Sequence, residues 1–392
     1  MRQGRKDRPT SPGGPAGGSG GLKTRARRPA AVDLERRVEL VARHTVEVLT
    51  PEELRALFER EEHPRAYIGF EPSGLLTLGQ MVCARKMRDL QEAGCRLTVF
   101  LADWHAWIND KLGGSLERIE EAGRYMRDAF VALGVDDGAA QWRWAHELIG
   151  SREYWSRVIR IAKATSLART KRAMTVLGRG EEESSLDTAK MFYPAMQAAD
   201  IFELPVEIAY AGLDQRRAHV LAREVAHQYR WSVPVAVHTP LISSLKGGGR
   251  MDPATGGFER KMSKSDPTSA ILLPSRPEEI RSRIAGAFCP AREVEGNPVL
   301  EIARHLLLVE AGPLEIPRPE KFGGPLSLGT AEELLSVWTA GKLHPQDLKG
   351  AVAEGLVHRL APVQEYFEHH AEHLTRLREA LGGSAPGGTV VD

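Results

Sequence analysis

Two lysines three residues apart, Lys261 and Lys264, sit in the string Lys261-Met262-Ser263-Lys264-Ser265-Asp266. Ahead of them run Lys246-Gly247-Gly248-Gly249 and Gly256-Gly257. Ammonium groups at that spacing, flanked by hydroxyls on a glycine-rich loop, can close on a polyphosphate and neutralise charge as it develops there. Such a loop taken alone is most often solvated surface, so its meaning depends on the elements around it.

Those elements alternate. Residues 66–70 (AYIGF) predict a short buried strand, followed by the turn Glu71-Pro72-Ser73-Gly74 and a helix over 79–92 that Gly94 stops. Residues 96–102 (RLTVFLA) predict a second strand and 115–133 an amphipathic helix. Further strands are expected over 206–211 and 235–238, with a helix over 215–228 between them. Strands alternating with helices favour α/β architecture, a parallel sheet with crossover helices. Upstream, Leu34, Val38, Val41 and Val48 predict one helical face. The next start signal is Thr50-Pro51-Glu52-Glu53: an N-cap, a proline at N1 and a capping-box glutamate at N3. After residue 286 the pattern turns to helices only, over 300–309, 331–340, 345–360 and 362–381. A domain boundary is therefore expected there, giving segments 33–286 and 287–381.

Composition narrows the class. The 392 residues are 42% hydrophobic and 27% charged, enough to bury a substantial core and to build two domains. No run approaches the roughly 18 apolar residues of a membrane span, and the N-terminus lacks the apolar stretch of a secretory signal, so no membrane partner is expected. Cys83, Cys95 and Cys289 are odd in number and lack metal-like spacing, which points to a reducing cytoplasm and to no protein-bound metal. The first 32 residues carry a net +7 within an overall +1, so the rest is near −6. A nucleic acid would have to meet local patches on the folded body. Residues 1–32, rich in Gly, Pro, Ser and Arg, are read as a disordered basic tail, and 382–392 as a flexible end.

The five-residue word KMSKS is the signature loop of class I aminoacyl-tRNA synthetases. The segments AYIGFEPSG (66–74), LADWHAWIN (101–109), YPAMQAAD (193–200), GLDQRRAHVLARE (212–224) and EGNPVLEIA (295–303) resemble tyrosyl-tRNA synthetase. RPEKFGG (318–324) and LHPQDLK (343–349) match its archaeal and eukaryotic branch. The resemblance implies a Rossmann-type catalytic domain followed by an all-helical anticodon-binding domain, with tRNA(Tyr) and a second copy of the chain as expected partners. It also implies a two-step reaction: tyrosine and ATP give tyrosyl-adenylate and pyrophosphate, then a terminal ribose hydroxyl of tRNA takes the tyrosyl group.

Residue by residue, Lys261 and Lys264 match the pair that holds the leaving pyrophosphate, with Mg²⁺ as the companion cation and Ser263 and Ser265 adding hydroxyl donors. Tyr67 and Asp200 match the pair that hydrogen-bonds the substrate phenol. A phenol donates to a carboxylate and accepts from another phenol, whereas phenylalanine would leave both unsatisfied. Tyr193, Gln197 and Gln215 match positions for the α-amino and carboxylate end, with Glu71 and His105 lining or bracing the pocket. Asp214 falls near the nucleotide ribose, and Gly69 and Gly79 on the ATP side. One departure stands out. The family's His-x-Gly-His reads Thr77-Leu78-Gly79-Gln80, so both imidazoles are missing; Gln80 keeps an amide donor of similar reach, and a lost transition-state donor costs about 3 kcal/mol. A second departure is the long glycine-rich connection over 246–260.

For tRNA, Phe322 and Asp347 match the anticodon-gripping positions, with His344 in the same patch. Arg216 and Arg217 suit an acceptor-stem phosphate or the first base pair, expected to be C1 with G72, and Arg169, Lys171 and Arg172 the backbone nearby. Three other readings use the same residues. One is a paralogue that forms tyrosyl- or analogue-adenylate for a non-translational acceptor, motivated by the lost histidines. Another is a non-catalytic tRNA-binding protein. The third is the sister tryptophanyl-tRNA synthetase, which would not need both Tyr67 and Asp200.

Overall fold

The computed structural model describes residues 31–174, 187–247, 262, 267–309 and 312–382. Residues 1–30 of the basic tail, most of the connection over 246–260, and Lys261, Ser263, Lys264 and Ser265 lie outside the described residues, while residues 31 and 32, expected in the tail, begin the first helix.

Six strands form the central sheet: β1 (Glu47–Leu49), β2 (Arg65–Phe70), β3 (Arg96–Leu101), β4 (Ala140–Trp144), β5 (Ile208–Gly212) and β6 (Val235–Thr239). Their order is β1-β6-β5-β2-β3-β4, parallel throughout except for β1, which pairs antiparallel with β6. From β2 the chain steps outward to β3 and β4, then returns to the other side of β2 for β5 and β6. That reversal opens a crevice between β2 and β5 at the carboxyl ends of the strands, the place where doubly wound folds bind nucleotides.

The period-2 alternation of the strands divides the core into two clusters. Ile68, Val99, Tyr210 and Val237 face one way, with the helix Gln80–Glu92 and the C-terminal helices. Tyr67, Phe100 and Ala209 face the other, with the helices Arg152–Ala164 and Tyr193–Glu203. The first cluster runs unbroken from Leu40 to Leu377, across the boundary expected at 286.

Four expectations are corrected. Val48 lies on β1 rather than on the first helix, Ala31–Ala42, because His44 at φ 56° turns the chain away from helical geometry. The C-terminal segment contains a two-stranded hairpin, β7 (Leu314–Ile316) with β8 (Leu326–Leu328), besides its helices. The helix predicted over 300–309 is a short α-helix, Pro298–Ile302, continued by a π-helical turn over Ala303–Leu307. Pro362 does not start a helix but lies inside one continuous helix, Pro345–His369. The capping box at Thr50 and Glu53 forms as expected, each donating its backbone N–H to the other's side chain. No described helix is long and apolar enough to cross a membrane, and the three cysteines are free.

Candidate active site

A cavity of about 510 Å³ opens at the carboxyl ends of β2, β5 and β6. Its lining includes Tyr67, Asp200, Tyr193, Gln197, Gln215, Glu71, His105, Gly69, Gly79, Asp214, Thr77 and Gln80. Every candidate residue for tyrosine, and every described one for ATP and catalysis, therefore meets in one place. Met262 reaches the same cavity and is buried.

One end of the cavity is deeply buried. Asp200, on the helix Tyr193–Glu203, is 1% exposed, yet it is a carboxylate and must be paired to stay charged. Tyr154 donates its hydroxyl to Oδ1 at 2.9 Å, and His105 Nε2 lies 3.1 Å from Oδ2. Burial by itself would discourage a charged His105, but the Asp200 carboxylate outweighs it and raises the imidazole pKa above its ordinary value. The ring is held edge-on by Phe100 and Tyr193. Burial, reinforced by the charge on Asp200, pushes the Tyr67 and Tyr154 hydroxyls well up, so both remain neutral phenols. With one tie on each oxygen, Asp200 keeps lone pairs for a further donor. Gly69 has its own reason at this end: a Cβ there would lie 2.5 Å from the Tyr67 hydroxyl. The glycine expected on the ATP side thus makes room for the phenol of Tyr67.

The middle of the cavity is a chain of polar contacts. Tyr193 donates its hydroxyl to Glu71 Oε1, which also accepts from Asn109 Nδ2 at 2.7 Å. Lys111 Nζ lies 3.6 Å from Glu71 Oε2. Gln197 Nε2 donates to Gln215 Oε1 at 3.0 Å, and Gln215 Nε2 donates to Asp214 Oδ2 at 3.2 Å. The two amides link the helix carrying Asp200 to the end of β5. Gly212, closing β5, admits Asp214 because a Cβ would meet that carboxylate and Leu241 at 2.7 Å.

At the open end stands the start of the helix Gln80–Glu92. The Thr77 N–H and hydroxyl both donate to Gln80 Oε1, at 2.9 and 2.8 Å. Two donors on one atom fix that atom as the amide oxygen and leave Nε2 as the outward donor. Thr77 is 5% exposed and its hydroxyl proton is committed to Gln80. Thr77, expected to serve catalysis, lines the cavity and braces Gln80. Among the described residues, a Cβ at Gly79 would meet only Thr77 Oγ1, at 3.6 Å.

The tRNA candidates lie elsewhere. Arg216 donates to Glu47 of β1, Arg217 donates to the Arg172 carbonyl at 2.8 Å, and Arg169 pairs with Glu224 at 3.0 Å. Phe322 is 61% exposed, with Lys321 Nζ 4.9 Å from its ring centroid. His344 caps the helix Pro345–His369, accepting from the Gln346 N–H, and Asp347 lies in its first turn. Arg318 joins these two places, donating to the Gly324 and Lys342 carbonyls.

Tyr154, Asn109 and Lys111 were missed. Asn109 ends the segment 101–109 and Lys111 follows two residues on, so their neighbourhood was marked. Nothing local to Tyr154 shows that its hydroxyl reaches a carboxylate 46 residues away.

The family model for class I tRNA synthetases of the W and Y kind matches residues 59–361. A tyrosine–tRNA ligase from Aeropyrum pernix is 46% identical over 339 residues, 85% of this chain and 93% of that protein. One from Sulfolobus acidocaldarius is 43% identical over 342 residues, 85% and 94% of the two chains. Among solved structures, the tyrosyl-tRNA synthetase of Aeropyrum pernix superposes with a TM-score of 0.80 at 42% identity, covering 90% of this chain and all of that one. That of Pyrococcus horikoshii, in complex with L-tyrosine, gives 0.80 at 43% identity over 88% and 99% of the chains.

Proposed function

The chain belongs to the tyrosyl-tRNA synthetases, and from that premise we propose how its own residues carry the reaction. It is a tyrosine–tRNA ligase with ATP as co-substrate. The observation that carries the residue assignment is the buried phenol and carboxylate, Tyr67 and Asp200, in one cavity with an amide chain leading to Asp214.

The substrate phenol donates to Asp200 and accepts from Tyr67; Tyr154 and His105 hold Asp200 in position. A site built to hydrogen-bond a hydroxyl rejects the analogue that lacks it, because its own buried polar groups are then left unpaired. Tyrosyl-tRNA synthetases are the standard example of that rule, with a rejection of phenylalanine by about 10⁵. Tyr193, Gln197 and Gln215 take the amino and carboxylate end, with Glu71 behind Tyr193. Gly79 admits the nucleotide, Asp214 takes its ribose, and Gln80 Nε2 donates to the phosphates. Lys261 and Lys264, with Ser263 and Ser265, hold the departing pyrophosphate. Mg²⁺ would accompany the triphosphate and supply charge neutralisation there.

Residues 287–381 form the anticodon-binding part, where Phe322 stacks on a base and Asp347 accepts from a guanine edge, His344 beside them. Arg217 and Arg216 face the acceptor stem, Arg216 on condition that it leaves Glu47. Exposed Trp107, Trp155, Ile159, Leu167 and Phe192 supply the apolar surface for a homodimer. Translation places the protein in the cytoplasm.

The test is aminoacylation of a tRNA(Tyr) transcript carrying C1 and G72, with ATP–pyrophosphate exchange in parallel. Charging with tyrosine, and with Phe322→Ala weakening it while exchange is kept, is the expected result. Charging unaffected by Phe322→Ala and Asp347→Ala would remove the anticodon assignment.

A further inference from the structure

Adenylate formation brings a polyanionic triphosphate and a carboxylate together, and the cavity that receives them is itself acidic. Glu71, Asp200 and Asp214 line it, and among its described lining residues Lys111 is the single lysine or arginine. The usual imidazoles at the helix start are replaced by Thr77 and Gln80, which are neutral. Beside Lys261 and Lys264, assigned above to the departing pyrophosphate, Lys111 is the cation that the described lining offers to the reacting phosphate.

Lys111 is placed for this by a turn that an ordinary loop would not adopt. Asp110, Leu112, Gly113 and Gly114 all have positive φ, at 51°, 53°, 70° and 72°. The turn is fastened by Lys190, only 8% exposed, whose Nζ lies 3.2 Å from Asp110 and 3.2 Å from Asp187. Backbone held in such a conformation by its surroundings is characteristic of functional turns. Lys111 itself pairs with Glu71 at a loose 3.6 Å, whereas Asn109 holds the same carboxylate at 2.7 Å. Glu71 therefore keeps Asn109 and Tyr193 if the ammonium moves away.

We propose that Lys111 is a catalytic residue of the first step, its ammonium moving from Glu71 to the non-bridging oxygens of the α-phosphate. The inference rests on the ATP-dependent activation described above. In that step a tyrosine carboxylate oxygen bonds to the α-phosphorus, the bond from that phosphorus to the bridging oxygen breaks, and the electron pair leaves with pyrophosphate. No proton is transferred, so a fixed positive charge is the whole contribution required of the side chain.

The experiment measures single-turnover formation of tyrosyl-adenylate at saturating ATP and tyrosine, together with the tyrosine Kd by equilibrium dialysis, for the wild type, Lys111→Ala and Lys111→Arg. Lys111→Ala should slow adenylate formation by roughly a hundredfold, the scale of losing one transition-state contact. The tyrosine Kd should stay within threefold, and Lys111→Arg should recover at least a third of the rate. A Lys111→Ala rate within threefold of the wild type overturns the inference. So does an arginine variant as slow as the alanine one, or a tyrosine Kd raised tenfold, which would make the lysine a support for Glu71. Failure of the wild type to form adenylate would instead overturn the activation reading itself.

Discussion

The two ends of the cavity are built on opposite plans. Around Asp200 everything is close-set: the carboxylate is 1% exposed, the Tyr154 phenol donates to one oxygen, the His105 imidazole lies 3.1 Å from the other, and the Tyr67 hydroxyl fills the space that Gly69 leaves. At the other end Thr77 and Gln80 are neutral and the described face of Gly79 is open, and in the middle of the cavity the Lys111 ammonium is held loosely, 3.6 Å from Glu71. Recognition of a small neutral hydroxyl is a question of unpaired groups in a dry site, which rigidity sharpens. Stabilising charge that exists only during bond exchange needs contacts that form late.

Substitutions at the two ends should separate these plans. Asp200→Ala is expected to have the largest effect, removing the buried charged acceptor of the substrate phenol, which costs recognition roughly 4 kcal/mol. Measured as kcat/KM for tyrosine in pyrophosphate exchange, that is on the order of a thousandfold, carried mainly by KM. An effect confined to kcat would erase the distinction between the ends. Gln80→Ala should lower the rate of adenylate formation by roughly a hundredfold while the tyrosine KM barely moves. If tyrosine binding weakens in parallel, Gln80 is serving the amino acid and the open end has been misassigned. Tyr154→Phe removes one hydrogen bond to a charged group without touching substrate, about 1.5 kcal/mol or tenfold in tyrosine Kd. Phenylalanine should then compete better; an unchanged ratio of tyrosine to phenylalanine binding would show that Asp200 needs no such support.

The smallest effect concerns pH. The folded-state pKa of His105 is raised by Asp200 above the roughly 6.5 of the unfolded chain. Its contribution to stability is therefore complete below that unfolded value and is lost as pH rises through the folded one. Urea melts of the wild type and His105→Asn should differ more at pH 5.5 than at pH 8.5. A gap that is constant, or widens with pH, would mean that the imidazolium is not what Asp200 holds.

Much of the site was legible because its residues sit in short words tied to local geometry: the end of β2, the start of the helix Gln80–Glu92, the inner face of Tyr193–Glu203. Tyr67, Asp200, Gln197 and Gln215 each belong to one. What escaped were partners joined only through space. Tyr154 and Lys111 acquire meaning from Asp200 and Glu71, and no periodicity connects them. The elements that were misread failed for local reasons. β4 reads AQWRW, half-buried and without clean alternation, and β7 and β8 are three residues each, too short to show a period. Pro362 is tolerated in mid-helix because it lies on an exposed face, where water can take the freed carbonyl. Thr77 needed coordinates to be seen as a brace, since its sequence shows only a missing histidine.

The helix Pro345–His369 spans 25 residues, a rod of about 37 Å at 1.5 Å per residue. Its first turn carries Asp347 just after His344, while near its far end Phe367 stacks on Tyr125 and Gln364 donates to the Ser275 carbonyl. Tyr125 in turn accepts from the Leu76 N–H, one residue before Thr77. The separation between the outermost patch and the reacting groups is thus a covalent ruler and not a slack tether, and its length is written in a residue count. Adding or deleting a single turn would offset the two ends of this helix by about 5 Å.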